Sequence, residues 1–211
     1  MTTTTSHPPR AHTTTSVMAA VVGLAHRDAS AAEVEIRALG QGDRETLRAF
    51  YASLSDESRY RRFFQGLHDV PDGVLRHLAD ADGCDHVVLV AVIGDSVVGE
   101  AQYVRLHAEP GAAEVSVAVS DDHQGHGIGR QLLGALGIVA RGAGIDTFTY
   151  TVLPMNRPAL ALFRSFGGRH GWDEGMVAGR APLASWSDAG VDPASVPAAT
   201  CDIARTVAVA A

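Results

Sequence analysis

Three glycines alternate with other residues in the segment SDDHQGHGIGRQLL, at Gly125, Gly127 and Gly129. A valine-rich run precedes this segment and an apolar run with helical spacing follows it, so we expect a strand, a loop and then a helix. The first N–H groups of a helix have no partner within it and lie at its positive end, where phosphate groups bind. Glycine lets an anion approach these amides closely and permits positive φ. The segment therefore predicts a phosphate-binding loop.

Two phosphate-binding motifs do not fit this loop. A Walker loop is excluded because the loop contains no Gly-Lys-Ser/Thr sequence. The dinucleotide fingerprint fails because Arg130 occupies the place of its third glycine and the apolar residues 152–154 stand where the acidic ribose ligand would be. A glycine turn without any ligand remains the alternative to phosphate binding.

Hydrophobic periodicity places the loop among alternating strands and helices. Strands are predicted at residues 33–39, at 85–106 as a hairpin that turns at 94–96, at 112–119 and at 146–153. Helices are predicted at residues 40–55 after an Asp43 start signal, at 56–67, after Pro71, at 127–142 and at 156–168. The strand at 112–119 directs Val115, Val117 and Val119 to one face, and Glu114 with Ser116 to the other.

The chain length predicts a single folded domain with two tails. Residues 1–31, rich in Thr and Pro at the start, are expected to be a disordered tail, and residues 32–183 the folded domain. A further strand is expected between Trp172 and Leu183. Residues 184–211 form a C-terminal extension, with a linker to residue 200 and a candidate edge strand after it.

The net charge, the cysteine spacing and the apolar runs of the chain argue against several classes of binding partner. The net charge of −7 and the absence of a basic stripe argue against nucleic acid. Cys84 and Cys201 lie far apart without ligand spacing, which argues against a zinc site and gives no sign of a disulfide framework, so a reducing compartment is expected. The apolar run 17–25 is too short to span a membrane, and we expect a cytoplasmic protein with no membrane partner.

Two motifs together resemble the GNAT acyltransferase superfamily. The first is VAVSDDHQGHGIGRQLL, in which Gln124, Gly127 and Gly129 fill the pattern Gln/Arg-x-x-Gly-x-Gly/Ala. The second is VLPMNRPALALFRSFG, in which Asn156 and Ala159 fill Asn-x-x-Ala. The run LRAFYASLSDESRYRRFF is similar to the opening of bacterial Pat-like protein lysine acetyltransferases, although its arginines equally suit a solvated helix face. The resemblance implies an α+β fold of three layers, a central mixed and mostly antiparallel sheet flanked by helices.

The resemblance also implies a site for acetyl-CoA as acyl donor. The loop amides would hold the pyrophosphate, with His126 at a position where relatives often carry Arg or Lys; the implied loop residues are Gln124, Gly125, His126, Gly127, Ile128, Gly129 and Arg130. The pantetheine arm would pair with the backbone of Val117 and Val119, and Asn156 would bind the cofactor or simply cap its helix. The Val117 N–H would polarise the thioester carbonyl. Phe163 replaces the tyrosine that many relatives use as general acid, and Phe166-Gly167 inverts the usual order.

Acyl transfer to a lysine requires a base. With a reference pKa near 10.4, about one lysine in a few thousand is a free amine at pH 7, a penalty of roughly 4.6 kcal/mol. Glu114 matches the acidic residue credited with this role in the Pat-like branch, and Glu100 is the reserve; either is otherwise an ordinary exposed or ion-paired carboxylate.

The function expected from the resemblance is therefore N-acetyl transfer to an amine. A protein lysine is the first acceptor and a small amine the second. A coenzyme A-binding module without chemistry is the alternative from a different class. The oligomeric state stays open, with a homodimer as one option.

Overall fold

The computed structural model describes residues 34–186, 194, 196–199 and 201. The predicted disordered tail and all but the first residue of the predicted C-terminal edge strand lie outside these residues. The described chain contains seven strands: β1 (Glu35–Ala38), β2 (His86–Ile93), β3 (Ser96–Leu106), β4 (Glu109–Val119), β5 (Thr147–Val152), β6 (Arg169–Asp173) and β7 (Met176–Pro182). It contains five α-helices: α1 (Arg44–Ser53), α2 (Asp56–Phe63), α3 (Asp72–Ala79), α4 (Ile128–Gly142) and α5 (Arg157–Ser165).

The strands form one sheet in the order β1-β2-β3-β4-β5-β7-β6. Every neighbouring pair is antiparallel except β4 and β5, which are parallel and paired at three positions, from Ala112 opposite Thr147 to Glu114 opposite Thr149. The predicted mixed, mostly antiparallel sheet is confirmed.

Two hydrophobic clusters cover the two faces of the sheet. Leu47, Phe50 and Tyr51 of α1 pack with α3 against the even-numbered valines of β2. Leu132, Leu136 and neighbouring residues of α4 pack with α5 on the opposite face. β2 is buried along almost its whole length because both its faces are covered, which explains its continuous apolar run. The three-layer arrangement is confirmed.

The segment after α5 differs from the single expected strand. It forms a hairpin of β6 and β7 that turns at Glu174 (φ 46°) and Gly175 (φ 85°), the positive φ values that a tight hairpin turn requires. β6 carries little hydrophobic signal because it is an exposed edge strand; Trp172 is 76% exposed. Trp186, in the predicted linker from residue 184, is buried. Its ring packs so closely on α4 that a Cβ at Gly137 would lie 2.6 Å from it.

The two cysteines correct another expectation. Cys84 and Cys201 form a disulfide although they are 117 residues apart in the chain. Val196 and Ala199 also pack against the core. The spacing of the two cysteines showed no sign of this disulfide, and the argument from it for a reducing compartment no longer holds. Among the described residues, no helix is long and apolar enough to cross a bilayer.

Candidate active site

The glycine loop reaches α4 through two positive-φ residues. Gly125 has φ 79° and Gly127 has φ 83°, values that L-residues with a Cβ rarely adopt. The Gln131 N–H donates to Gly127 O at 3.0 Å and is the first to enter the helical ladder. The backbone N–H groups of Ile128, Gly129 and Arg130 precede it and have no partner within the helix. The loop therefore has the free amides that an anion needs.

β4 and β5 diverge beyond Glu114 and Thr149, the last residues that they pair. The Ser120 N–H donates to Val98 O at 2.9 Å, so it points at β3. Because backbone direction alternates along a strand, the N–H groups of Val119 and Val117 point away from β3 and into the gap beside β5. The Gln124 side chain, which donates to Val119 O at 3.1 Å, lies on this same side.

A cavity of about 310 Å³ joins this gap to the glycine loop. Its walls include most of the predicted cofactor residues: Val117, Val119, Gln124, Gly125, Gly127, Ile128, Gly129, Arg130 and Asn156. His126 is exposed and does not line this cavity. The Arg130 guanidinium donates to Ser165 Oγ at 2.9 Å and lies over the Phe166 ring, which directs it along α5.

A second cavity of about 320 Å³ adjoins the first. Both are lined by Val117 and Asn156, and the second also by Glu114 and Phe163. The Asn156 side chain accepts a hydrogen bond from the Ala159 N–H at 3.3 Å and so acts as the N-cap of α5. Phe163 stacks on Tyr150 with ring centroids 3.9 Å apart. The candidate base, the Val117 amide and the loop thus lie around two cavities that share lining residues.

Glu100 differs from Glu114 in its surroundings. Glu114 is exposed, whereas Glu100 is fully buried and lines neither cavity. The Glu100 carboxylate accepts hydrogen bonds from Tyr51 Oη at 3.0 Å and from Arg62 Nε at 3.3 Å. Glu100 is therefore an ion-paired carboxylate, the alternative that its sequence left open.

Helix α2 contributes arginines that are buried or line the cavities, whereas the sequence suited a solvated helix face equally well. Arg59 is buried, and its guanidinium donates to Leu54 O at 2.5 Å, beyond the end of α1. The Arg62 side chain is 9% exposed, and with Arg61 it lines both cavities. In the sequence, the run of arginines is the one feature that points to these residues. Their burial depends on contacts with residues that are distant in the chain.

The buried contacts among Arg62, Glu100 and Tyr51 alter two pKa values. Burial lowers the pKa of Arg62, but the Glu100 carboxylate and the Tyr51 hydroxyl together outweigh this effect and leave the pKa raised. Burial and the same carboxylate raise the pKa of Tyr51 well above its usual value. Arg62 is therefore a permanent cation and Tyr51 a permanent hydrogen-bond donor.

An acidic residue couples α2 to the loop region. Asp121 accepts hydrogen bonds from Ser55 N–H at 2.9 Å, Ser55 Oγ at 2.8 Å and Ser58 Oγ at 2.7 Å. Burial raises the pKa of Asp121, but these hydrogen bonds together hold it below its usual range. Gln124 adds a weaker bond to Ser58 Oγ at 3.3 Å. The loop and the N-terminus of α2 are thus held together.

Comparisons with known proteins agree with this geometry. Acetyltransferase Pat of Mycolicibacterium smegmatis is 36% identical over 123 residues, 57% of this chain and 37% of the relative. An acetyltransferase of Pseudomonas aeruginosa is 33% identical over 115 residues, 53% of this chain and 61% of the relative. The chain spans less than two thirds of either relative's length. The solved GNAT domain of S. lividans PAT has a TM-score of 0.68 and 32% identity, and the match covers 71% of this chain and 90% of that domain.

The family assignment follows from a match over more than half of the chain. Residues 46–167 match the family described as "Acetyltransferase (GNAT) family". This range contains both predicted motifs, the divergent strands and the two cavities' shared residues. The chain belongs to the GNAT family of acetyltransferases.

Proposed function

We propose that this chain transfers an acetyl group from acetyl-CoA to an amine, with a protein lysine as the acceptor. The observation that carries the proposal is the continuity of three features: a loop of free amides, a strand gap with inward N–H groups, and a cavity that Glu114 lines. Acyl transfer from coenzyme A needs one anchor for the diphosphate, one donor for the acyl oxygen and one base. The chain supplies a candidate for each.

The residues present fit acetyl-CoA. The positive φ of Gly125 and Gly127 turns bare backbone toward the diphosphate position, where the N–H groups from Ile128 to Arg130 donate. The unpaired N–H groups of Val117 and Val119 suit an extended amide-containing arm laid into the strand gap. The site takes acetyl-CoA as a substrate that supplies the activated acyl group.

The chain's own groups then perform the remaining steps. The Val117 N–H donates to the acyl oxygen, on which negative charge develops during attack. Glu114 receives the proton that the acceptor ammonium must lose. Phe163 offers no proton to the departing sulfur, but a thiol with a reference pKa of about 8.5 leaves tolerably well as thiolate.

A third, open cavity supports a protein acceptor. Its volume is about 670 Å³, and it runs along the uncovered sheet face over the threonines of β5 to Arg169 and Arg180. Glu114 lines both this groove and the second cavity. A lysine side chain can therefore enter at Glu114 while the polypeptide that carries it lies in the groove. A small amine needs no such groove.

The proposal is tested by binding and transfer with the wild-type chain. Calorimetry with acetyl-CoA should show one site, and incubation of lysate proteins with labelled acetyl-CoA should yield acetyl-lysine in mass spectra. Thiol release with a panel of small amines decides between the two acceptor classes. Binding without transfer to any protein or amine would instead favour a non-catalytic coenzyme A module, the alternative that the absent acid at Phe163 supports.

Gly129→Ala should separate cofactor binding from folding. The new Cβ would lie 3.5 Å from Leu162 and 3.6 Å from Val119, ordinary contact distances. The free protein should keep its fold and gain up to about 1 kcal/mol of helix propensity. The methyl group stands in the cavity wall and holds the diphosphate away from the amides, so the Kd of coenzyme A should rise about 10- to 100-fold.

Calorimetry and urea unfolding measure the two effects. Gly73→Ala is the matched control, because Gly73 lies in α3 with no atom within 4 Å of a new Cβ. It should raise stability similarly and leave coenzyme A binding unchanged. Equal coenzyme A affinity in Gly129→Ala and wild type would contradict the assigned role of the loop.

A further inference from the structure

Glu114 and the Val117 amide are separated along β4. Three residues at about 3.3 Å per residue place their Cα atoms roughly 10 Å apart. In the proposed reaction the amine attacks the acyl carbon held beside the Val117 N–H. A general base acts within hydrogen-bond reach of the proton or through one intervening group. The Glu114 carboxylate therefore needs a group between itself and the amine.

Ser116 occupies the position between them. It lies two residues from Glu114 on the same face of β4, next to Val117 in the chain, and it lines the second cavity. Its Oγ is buried and has no hydrogen-bond partner among the described residues. A buried hydroxyl without a partner is unfavourable, and a substrate that supplies one removes this cost.

The polar neighbours of Ser116 on β3 are already engaged. Gln102, its partner in the strand register, forms a hydrogen bond with His86 Nε2 through Oε1 at 2.9 Å. Glu100, two residues before Gln102 on the same face of β3, is hydrogen-bonded to Tyr51 and Arg62. The Gln102 oxygen and the Glu100 carboxylate thus already have hydrogen-bond partners. The Ser116 hydroxyl has none among the described residues, and one rotation about its side-chain bond changes its direction.

We propose that Ser116 is a catalytic residue that relays the proton of the acceptor amine to Glu114; this inference rests on the proposed acetyl transfer. The ammonium N–H proton passes to Ser116 Oγ while the hydroxyl proton passes to the Glu114 carboxylate. The free amine nitrogen then forms the C–N bond, and the C–S bond breaks. The nitrogen's second proton goes to the departing thiolate, and Glu114 releases its proton to solvent.

Ser116→Ala tests the relay through a pH profile. At pH 7 its kcat should fall about 10- to 100-fold, with the KM for acetyl-CoA and the Kd of coenzyme A unchanged. The deficit should shrink as the pH rises toward 10, because a larger fraction of lysine with a reference pKa near 10.4 is already free amine. A purely structural defect would not depend on the protonation of the acceptor.

Two further variants complete the test. Ser116→Thr keeps the hydroxyl and suits a strand, so it should restore most of the activity. Ser53→Ala removes a hydroxyl that already donates to Phe50 O at 2.7 Å, away from the cavities, and should leave kcat unchanged. A Ser116→Ala enzyme as active as the wild type would overturn the relay and leave acetyl transfer standing, as would a deficit that persists at every pH. A wild type that releases no thiol with any acceptor overturns both proposals.

Discussion

We expect Glu114→Gln to lower kcat for acetyl transfer by about 10²- to 10⁴-fold and to leave the Kd of coenzyme A unchanged. The change keeps the shape of the side chain and removes its capacity to accept a proton at neutral pH. Glu114 is exposed at the junction of the second cavity and the open groove, so no buried partner depends on its charge. Steady-state thiol release measures kcat, and calorimetry measures binding.

Glu109→Gln is the matched control for this result. Glu109 is also a carboxylate on β4, and it forms an exposed ion pair with Arg180 at 2.5 Å. Its replacement should leave kcat within about twofold of wild type, because exposed ion pairs contribute little. Unchanged thiol release in Glu114→Gln would remove this residue from the mechanism, and reduced coenzyme A binding would show that it acts on the cofactor instead.

We expect Glu100→Ala to lower the free energy of unfolding by about 3–5 kcal/mol. The substitution leaves the Arg62 guanidinium as an unpaired charge in the interior and the Tyr51 hydroxyl without its acceptor. Both groups lost their hydration on folding, so the removal of their common partner exposes the full desolvation cost. Urea unfolding at pH 7, followed by circular dichroism, measures the change.

Two controls separate burial from charge. Asp72→Ala breaks the exposed Arg48–Asp72 pair, whose side chains are 39% and 63% exposed, and should cost less than about 1 kcal/mol. Glu100→Gln retains an oxygen for Tyr51 but not the negative charge, and should fall between the other two variants. Equal stability of Glu100→Ala and Asp72→Ala would show that the Arg62–Glu100 pair contributes no more than a surface pair.

Local signals explain which predictions the structure confirms. The glycine loop, the hairpin of β2 and β3 and the helix after Asn156 are encoded by residues within a few positions of one another. Glycine permits positive φ, turn residues join adjacent strands, and Asn caps the helix that follows it. These preferences act in any tertiary context, so the elements around the site were predictable from the chain.

Long-range contacts explain what the sequence did not predict. Arg62 and Tyr51 form hydrogen bonds with Glu100, from which they are 38 and 49 residues distant in the chain. A helix with a mostly charged sequence therefore contributes to a buried ion pair. The disulfide joins residues 117 apart. No local pattern encodes such a pairing, because it depends on which elements the sheet places side by side. β6 was missed for a related reason: an edge strand needs no hydrophobic face.

The amino-acid sequence by itself determined the glycine-rich loop before α4, the order of strands and helices, and the two motifs that resemble the GNAT family. Only the tertiary structure decided that β4 and β5 part beyond Glu114, that Glu100 is enclosed while Glu114 is exposed, and that the Ser116 hydroxyl lacks a partner. The physical reason is that backbone preferences are set by neighbouring residues. Burial and the pairing of polar groups are set by whichever distant segments pack against them.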